Sequence, residues 1–378
     1  MNRAHTTAGW LIPSLAVVVL LGAVTAGFFY LQWKATTQRQ AVRAIHRLGG
    51  WAFYDSRYDE KGNLVAAWPR GPRWAIRLLG VDFFGTVTGV VLGPGRPVEG
   101  LPDFGLIDHN IPVKDEHLAI LEDLPYLEWL VLAGTQITDS GLAHLRHLRR
   151  LRWLWLNDTQ ITDAGLEHLA QLPSLEKLYL DGTQIEGRTA LLNRFSNLCE
   201  LSVQHTRFSD HGLRQLKEVT QLERLRLANT PCSFATIVEV FVNGQGRSLE
   251  EALVLTELAS VDNAGQIVAL NLSGRQVRDE DLSLLKTFQK LQWLYLAQNP
   301  ITDLGLRHLT RLPKLSLIDL SGTSVSFEGI KTLFHLPGLN TLHLEGVPLP
   351  PDVGEQILLS GKRVIRIYRG AISSSTDL

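Results

Sequence analysis

Cysteine is scarce. Cys199 and Cys232 are the only two in 378 residues, too few for a disulfide framework and at no zinc-ligand spacing. Cysteine use therefore leaves the redox compartment undecided. Net charge is also nearly missing: the formal value is -1, which argues against a nucleic-acid binder, since such a chain would be clearly basic. Catalytic signatures are missing too, with no P-loop, no G-x-G-x-x-G leading into a helix, no H-E-x-x-H and no G-x-S-x-G. Serines, histidines and acids are plentiful but fall at recurring positions, so the expectation is a non-enzyme with no cofactor and no metal. Nothing in a composition of 45% hydrophobic and 20% charged residues suggests disorder.

What is present first is an uncharged run from Leu11 to Leu31, long enough as a helix to cross a hydrocarbon core of ~30 Å. It reads as a transmembrane helix. Trp10 on one side and Tyr30 and Trp33 on the other sit where interfacial aromatic anchors are expected. The rival reading is a cleaved signal peptide with a small-residue site at Val24-Thr-Ala26. No cysteine lies near the run, so a lipoprotein anchor is excluded. Arg3 alone precedes the run, whereas Lys34, Arg39, Arg43 and Arg47 follow it, and the positive-inside rule then favours a cytoplasmic domain. The same basic side chains also suit anionic headgroups.

From Leu124 to Leu349 the chain repeats itself about every 24 residues, the mark of a solenoid. Leu127-Glu-Trp-Leu130-Val-Leu132-Ala-Gly-Thr135 recurs from Leu151 to Thr159 and from Leu175 to Thr183 as L-x-x-L-x-L-x-x-T. Strand segments start at Leu127, Leu151, Leu175, Leu198, Leu222, Ile267, Leu291, Leu315 and Leu339. The last two leucines of each motif point to one side of a strand and fill the interior, while the residues between them point the other way. After each strand, Ile-Thr-Asp-x-Gly-Leu-x-x-Leu recurs at Ile137, Ile161 and Ile301, with Thr or Asp placed to cap a short helix. Strands stack ~4.8 Å apart and helices need ~10 Å, so the stack should curve with its sheet inside. Thr135, Thr159, Thr183, Thr206, Thr230 and Thr323, with Asn299 in the same place, predict a ladder that hydrogen-bonds backbone groups at the bend.

With these motifs the chain resembles the leucine-rich repeat family, more narrowly bacterial membrane-anchored forms with G-T-x-I-T-D-x-G-L-x-x-L units. The resemblance covers residues 87–349, and Leu78-Leu-Gly-Val-Asp-Phe-Phe84 is similar to the cap region of such proteins. It implies an α/β fold, a curved horseshoe with a parallel sheet on the concave face and short helices outside, whose concave sheet binds a partner. The repeat half of F-box adaptors is also similar, but no F-box-like segment precedes the repeats, so a ubiquitin-ligase role does not carry over.

The expected organisation is an N-terminal tail (1–10), the transmembrane helix (11–31), a juxtamembrane segment and N-terminal cap (32–86), a first repeat block (87–230), an irregular insert (231–266), a second block (267–349), a C-terminal cap (350–369) and a disordered tail (370–378). Within the first cap, Thr36 to Leu48 has helical spacing and stops at Gly49-Gly50, Trp51 to Tyr54 and Leu64 to Trp68 read as strands around a turn containing Gly62, and Pro72 to Leu79 reads as a helix. The insert accounts for the long step from Leu222 to Ile267, and its Asp262-Asn-Ala-Gly-Gln-Ile-Val-Ala269 resembles Asp59-Glu-Lys-Gly-Asn-Leu-Val-Ala66. At the other end, a short helix to Leu358 is expected before a strand, Val364 to Tyr368, whose Lys362, Arg363, Arg366 and Arg369 would guard an open edge.

Outward strand positions supply the candidate ligand-binding residues: Trp129, Trp153, Trp155 and Tyr179 on the first three repeats, Arg224 and Arg226 on the fifth, Trp293 and Tyr295 on the seventh. Exposed aromatic and arginine side chains on a rigid surface are typical anchors, each able to contribute about 2 kcal/mol or more. Stacking of adjacent rings merely to cover the sheet is the plainer alternative. His144, His168 and His308 share one place in the helical half-repeat and lack a third ligand type, and Asp139, Asp163 and Asp303 read as helix-start residues favoured by the dipole. A protein partner is the leading expectation. A glycan or cell-wall ligand is the alternative, because sugar rings also stack on aromatic faces.

Overall fold

The computed structural model describes residues 11–55, 57–58, 64–65, 72–93, 112–351, 353, 356–358 and 364–368. The expected tails, the turn at Gly62, the strand beyond Val65, and Lys362, Arg363 and Arg369 lie outside them. The chain divides into two compact units, residues 1–160 with 171–175, and residues 161–170 with 176–378.

The first unit opens with α1 (Leu11–Arg47), one unbroken helix in place of a span and a separate helix after it. From Val17 to Trp33 its side chains are exposed; beyond that, Ala35, Gln38, Ala41, Val42 and Ile45 turn a buried face toward the cap. Gly49, at φ 77°, ends the helix as the sequence suggests. Next come β1 (Trp51–Tyr54), the two-residue pair β2 (Arg57–Tyr58) and β3 (Leu64–Val65), α2 (Arg73–Leu79), α3 (Val81–Phe84) and β4 (Val87–Val91). Strand β1 runs antiparallel to β4, which pairs in parallel with β5 (Trp129–Val131), and β5 in turn with β6 (Trp153–Trp155). Buried and half-buried polar contacts tie this segment to α1. Gln38 donates to the Gly85 carbonyl at 3.0 Å and accepts from the Val87 amide at 3.0 Å, satisfying two backbone groups where α3 leads into β4. Arg39 donates to Asp82 at 3.0 Å and to the Leu79 carbonyl at 2.9 Å, and the Tyr54 hydroxyl donates to the other oxygen of Asp82 at 2.6 Å.

The second unit contains the parallel strands β7 (Lys177–Tyr179), β8 (Glu200–Ser202) and β9 (Arg224–Arg226). It also contains a sheet of β10 (Ala259–Val261), β11 (Ile267–Asn271), β12 (Trp293–Tyr295), β13 (Leu317–Asp319), β14 (Thr341–His343), β15 (Gln356–Leu358) and β16 (Val364–Tyr368). Strand β10 runs antiparallel to β11, β11 to β14 are parallel, and β16 lies between β14 and β15. Two expectations at this end are corrected. Gln356–Leu358 is a strand, and it makes β16 an interior strand, so Arg366 guards no open edge. Pairing on both sides satisfies backbone groups of β16 that a bare edge would leave exposed.

Within each repeat the physics is local. Leu130, Leu132, Leu154, Leu156, Leu178, Leu180, Leu294 and Leu296 are fully buried, each burial contributing about 1.5–3 kcal/mol. The turn after each strand needs a left-handed residue, supplied by Gly134, Asp158, Gly182, His205, Asn229, Gly274, Gln298, Gly322 and Gly346 at φ between 55° and 72°. Glycine adopts this without cost, and Asn and Asp tolerate it best among the others. The residue that follows forms the ladder: Thr135, Thr159, Thr206, Thr230 and Thr323 each donate at 2.6 Å to the carbonyl three residues back. Asn299 does more, donating to the Leu296 and Leu272 carbonyls and accepting from the Val277 amide.

Arg275 occupies the ladder position of its repeat, which the sequence reading did not single out. Its buried guanidinium donates to the Leu227 carbonyl at 2.6 Å and to the Thr230 and Cys232 carbonyls at 3.1 and 3.2 Å, spanning the insert and carrying the ladder across the long step. Burial holds its pKa below the usual arginine value, and it pushes the neighbouring Cys232 thiol up to about 11.

The aspartate of T-D-x-G, and the aspartates at the equivalent place in other repeats, have a second role. Asp115 accepts from the Thr138 amide and hydroxyl at 2.7 and 2.6 Å; Asp210 binds Ser233 and Asp303 binds Ser326 in the same two-point manner, each reaching one repeat ahead. Asp163 accepts from the Glu186, Gly187 and Arg188 amides. Asp303 does stand in the first turn of the helix Asp303–Leu309, but its carboxylate serves the following repeat, while Thr302 caps the helix. The carboxylate leaves no room for a side chain opposite it. A Cβ on Gly141, Gly305 or Gly329 would lie 2.0–2.4 Å from an oxygen of the preceding repeat's aspartate.

Candidate binding face

In the first unit the outward strand positions form a covered face. Strand register puts Gly89, Trp129 and Trp153 in one row and Val91, Val131 and Trp155 in the next. Trp129 is 0% exposed, Trp153 5% and Trp155 2%, so the expectation that these rings stand open is overturned. The cause is packing from both sides. Gly89 leaves space that the Trp129 indole fills, a Cβ there lying 1.9 Å from the ring, and Phe53 of β1 covers it with ring centroids 5.0 Å apart. Trp153 and Trp155 meet edge to face at 6.2 Å, and the Arg152 guanidinium lies 5.9 Å over Trp153.

In the second unit, β7 to β9 carry a charged cluster. Tyr179 is buried, as is Arg226, again against expectation. Glu200, also buried, stands at 3.4 Å from Lys177, 3.5 Å from Arg224 and 3.6 Å from Arg226, and Glu257 bridges the two arginines at 3.3 and 3.2 Å. Sharing two carboxylates among three cations compensates charges that burial would otherwise penalise. Of the three cations only Arg224 keeps about half of its side chain in solvent. Next to the cluster, Asp181 accepts from Ser202 and from the Gln204 amide, and burial raises its pKa despite those bonds. An open depression of about 720 Å³ lies at the turn side of the same repeats, lined by residues including Asp163, Thr183, Glu186, Arg188, His205 and Arg207. Glu186 pairs with both of its arginines.

The second sheet differs. Ala269, Trp293, Leu317, Thr341 and Arg366 form one row across β11 to β16, and Asn271, Tyr295, Asp319, His343 and Tyr368 the next. Trp293 is 41% exposed, Tyr295 and Leu317 are half-buried, and Tyr368 is 44% exposed and stacks on His343 with centroids 4.7 Å apart. Burial raises the pKa of Tyr295, with Asp319 adding to the shift, and burial lowers that of His343, so the imidazole at this face stays neutral at pH 7. Leu317, His343 and Tyr368 were not singled out from the sequence, although their register with Trp293 and Tyr295 follows from the repeat period. His144 pairs with Glu122 at 2.7 Å on the helical side. Among the described residues no group of three or more His, Cys, Asp or Glu could hold a metal ion.

Parallel strands, each followed by a turn ladder and a short helix and stacked on buried leucines, define a repeat solenoid. Its repeats are leucine-rich repeats, and residues 121–185 match the family model described as leucine rich repeat. Among solved structures the chain is similar to an internalin (inlF) from Listeria monocytogenes, at 17% identity over 74% of this chain and 88% of that one, with a TM-score of 0.46. It is also similar to an internalin C2 (inlC2) from the same organism, at 20% identity over 62% and 77%, with a TM-score of 0.27. No curated protein matches the sequence. Repeat arrays of this class are interaction scaffolds that use an extended sheet surface. Among the described residues one helix, Val17–Arg47, is long and apolar enough to cross a membrane, a test that a signal sequence near an N-terminus also meets.

Proposed function

We propose that this chain is a single-pass membrane protein, of the bacterial membrane-anchored kind, whose leucine-rich repeats bind another protein through the open face of the second sheet. Trp293 and Tyr295 are the anchors, with Leu317 and Tyr368 extending the patch and Arg224 contributing from β9. Trp129, Trp153, Trp155, Tyr179 and Arg226 stiffen the sheet instead of touching the ligand. The observation that carries this reading is the contrast in exposure between Trp293, at 41%, and Trp129, at 0%, on equivalent strand positions. A large aromatic ring left open on a rigid sheet is a typical hot spot. Retention of α1 as an anchor is supported by its exposed apolar surface continuing without a break into the buried face that holds the cap.

Replacing Trp293 by a photo-crosslinking phenylalanine derivative in the full chain, in its native membranes, tests the assignment. Adducts with a second protein are expected at Trp293 and not at Glu328, which is exposed on the helix Phe327–Lys331. Equal yields at the two positions would reject it. Adducts that resist protease but not glycosidases would transfer the same surface to a glycan.

A further inference from the structure

The α2 helix, tied to α1 at Arg39, presents an apolar pair to solvent. Trp74 is 70% exposed and Leu78 74%, and their i, i+4 spacing places them on one side of the helix. Arg73 and Arg77, equally spaced and exposed, run alongside, while Ala75 is buried. A short helix with an open Trp-Leu pair flanked by arginines has the chemistry of an interfacial element, its rings suited to the acyl boundary and its cations to phosphate. Exposure alone does not name the occupant; the level of the helix along α1 does.

Two contacts fix that level. Phe83 of α3 packs on Phe28, inside the uncharged run of α1, with ring centroids 5.9 Å apart. Arg39 holds the α2 C-terminus through the Leu79 carbonyl and the α3 start through Asp82. A larger residue at the corner would be strained, because Gly80 has φ 88° and a Cβ there would also meet the Arg39 guanidinium at 2.5 Å. Arg39 lies about 12 Å along the helix beyond Leu31, at 1.5 Å per residue, and its side chain leans back toward the helix N-terminus. Tyr30 and Trp33, both exposed with rings 6.2 Å apart, flank Leu31, where the edge of the hydrocarbon is expected. The corner between α2 and α3 is thus bracketed between Phe28, inside the uncharged run, and Arg39, about 12 Å beyond its end, a range that contains the headgroup layer, roughly 5–7 Å deep on each side of a bilayer.

We propose that α2 lies in the headgroup layer of the bilayer that α1 crosses, with Trp74 and Leu78 inserted and Arg73 and Arg77 on anionic lipid phosphates, so that the N-terminal cap rests on the membrane. This rests on the reading of α1 as a retained span. The full chain, carrying Cys199→Ser and either Leu78→Cys or Val19→Cys labelled with an environment-sensitive fluorophore, is reconstituted in phosphatidylcholine and phosphatidylglycerol vesicles containing spin-labelled lipid. Native Cys232 is fully buried and stays unlabelled. Both labels should shift to the blue and lose most of their emission to the lipid quencher, and Arg73→Glu with Arg77→Glu should restore emission at position 78 only. A label at 78 that emits as in water while that at 19 is quenched overturns the interfacial helix and leaves the anchor standing. Quenching at neither position overturns both, and shielding at 78 without lipid quenching assigns the face to a protein instead.

Discussion

A tryptophan at an outward strand position has two fates in this chain, and neighbours decide which. Trp129 sits over Gly89 and under Phe53, whereas Trp293 has Ala269 and Leu317 beside it and stays open. Trp129→Ala should therefore cost about 3–5 kcal/mol, the range for removing a buried aromatic, read as a lower unfolding midpoint. Trp293→Ala should leave that midpoint within the experimental scatter. The T-D-x-G unit makes a sharper prediction at the same scale. Gly329→Ala forces a methyl to 2.0 Å from the Asp303 carboxylate and should destabilise by about 1–3 kcal/mol, as overpacking does. In Asp303→Ala the carboxylate is gone and only the residue's Cβ remains, at 2.9 Å, so the glycine substitution should then cost less, and a double-mutant cycle measures the difference. Additive effects would mean that the two residues do not meet.

At the scale of elements, α1 is both the apolar run and the first wall of the cap. Gln38 ties it to the strand that starts the sheet, and Gln38→Ala leaves the Gly85 carbonyl and the Val87 amide without that partner. The expected loss is about 1–3 kcal/mol, seen first in the fluorescence of the tryptophans in the first unit because only that unit contains the contact. How far such elements were legible depended on range. The leucine period, the Gly-Thr turn and the ladder were readable because each is decided within a few residues, by strand alternation and by a left-handed turn. The burial of Trp153 and Trp155 was not, since an outward position carries the same pattern whether a neighbouring ring covers it or not. The reach of Asp303 to Ser326 was hidden for a related reason: both residues suit a helix start, and only the hydrogen bonds between them show that the carboxylate of one repeat serves the next. Arg275 was detectable by laying Ser273-Gly-Arg275 over Ala133-Gly-Thr135, but its hydrogen bonds across the insert were not. The strand at Gln356–Leu358 depends on pairing with β16, which no local signal announces.

At the scale of the molecule, the proposed function divides the work between α1 and the open sheet face. The apolar length of α1 and the interfacial chemistry of α2 would hold the chain at a bilayer, and the row of Trp293, Leu317 and Arg366 beside that of Tyr295, His343 and Tyr368 would be what a partner meets. Oxidative footprinting of the full chain, read by mass spectrometry residue by residue, tests this most directly when native membranes are compared with purified protein. The account predicts that Trp293 is oxidised readily after purification and protected in the membranes, while Trp129, Trp153 and Trp155 stay protected in both. Equal oxidation of Trp293 in the two states, or protection that moves at Trp153 instead, would contradict it.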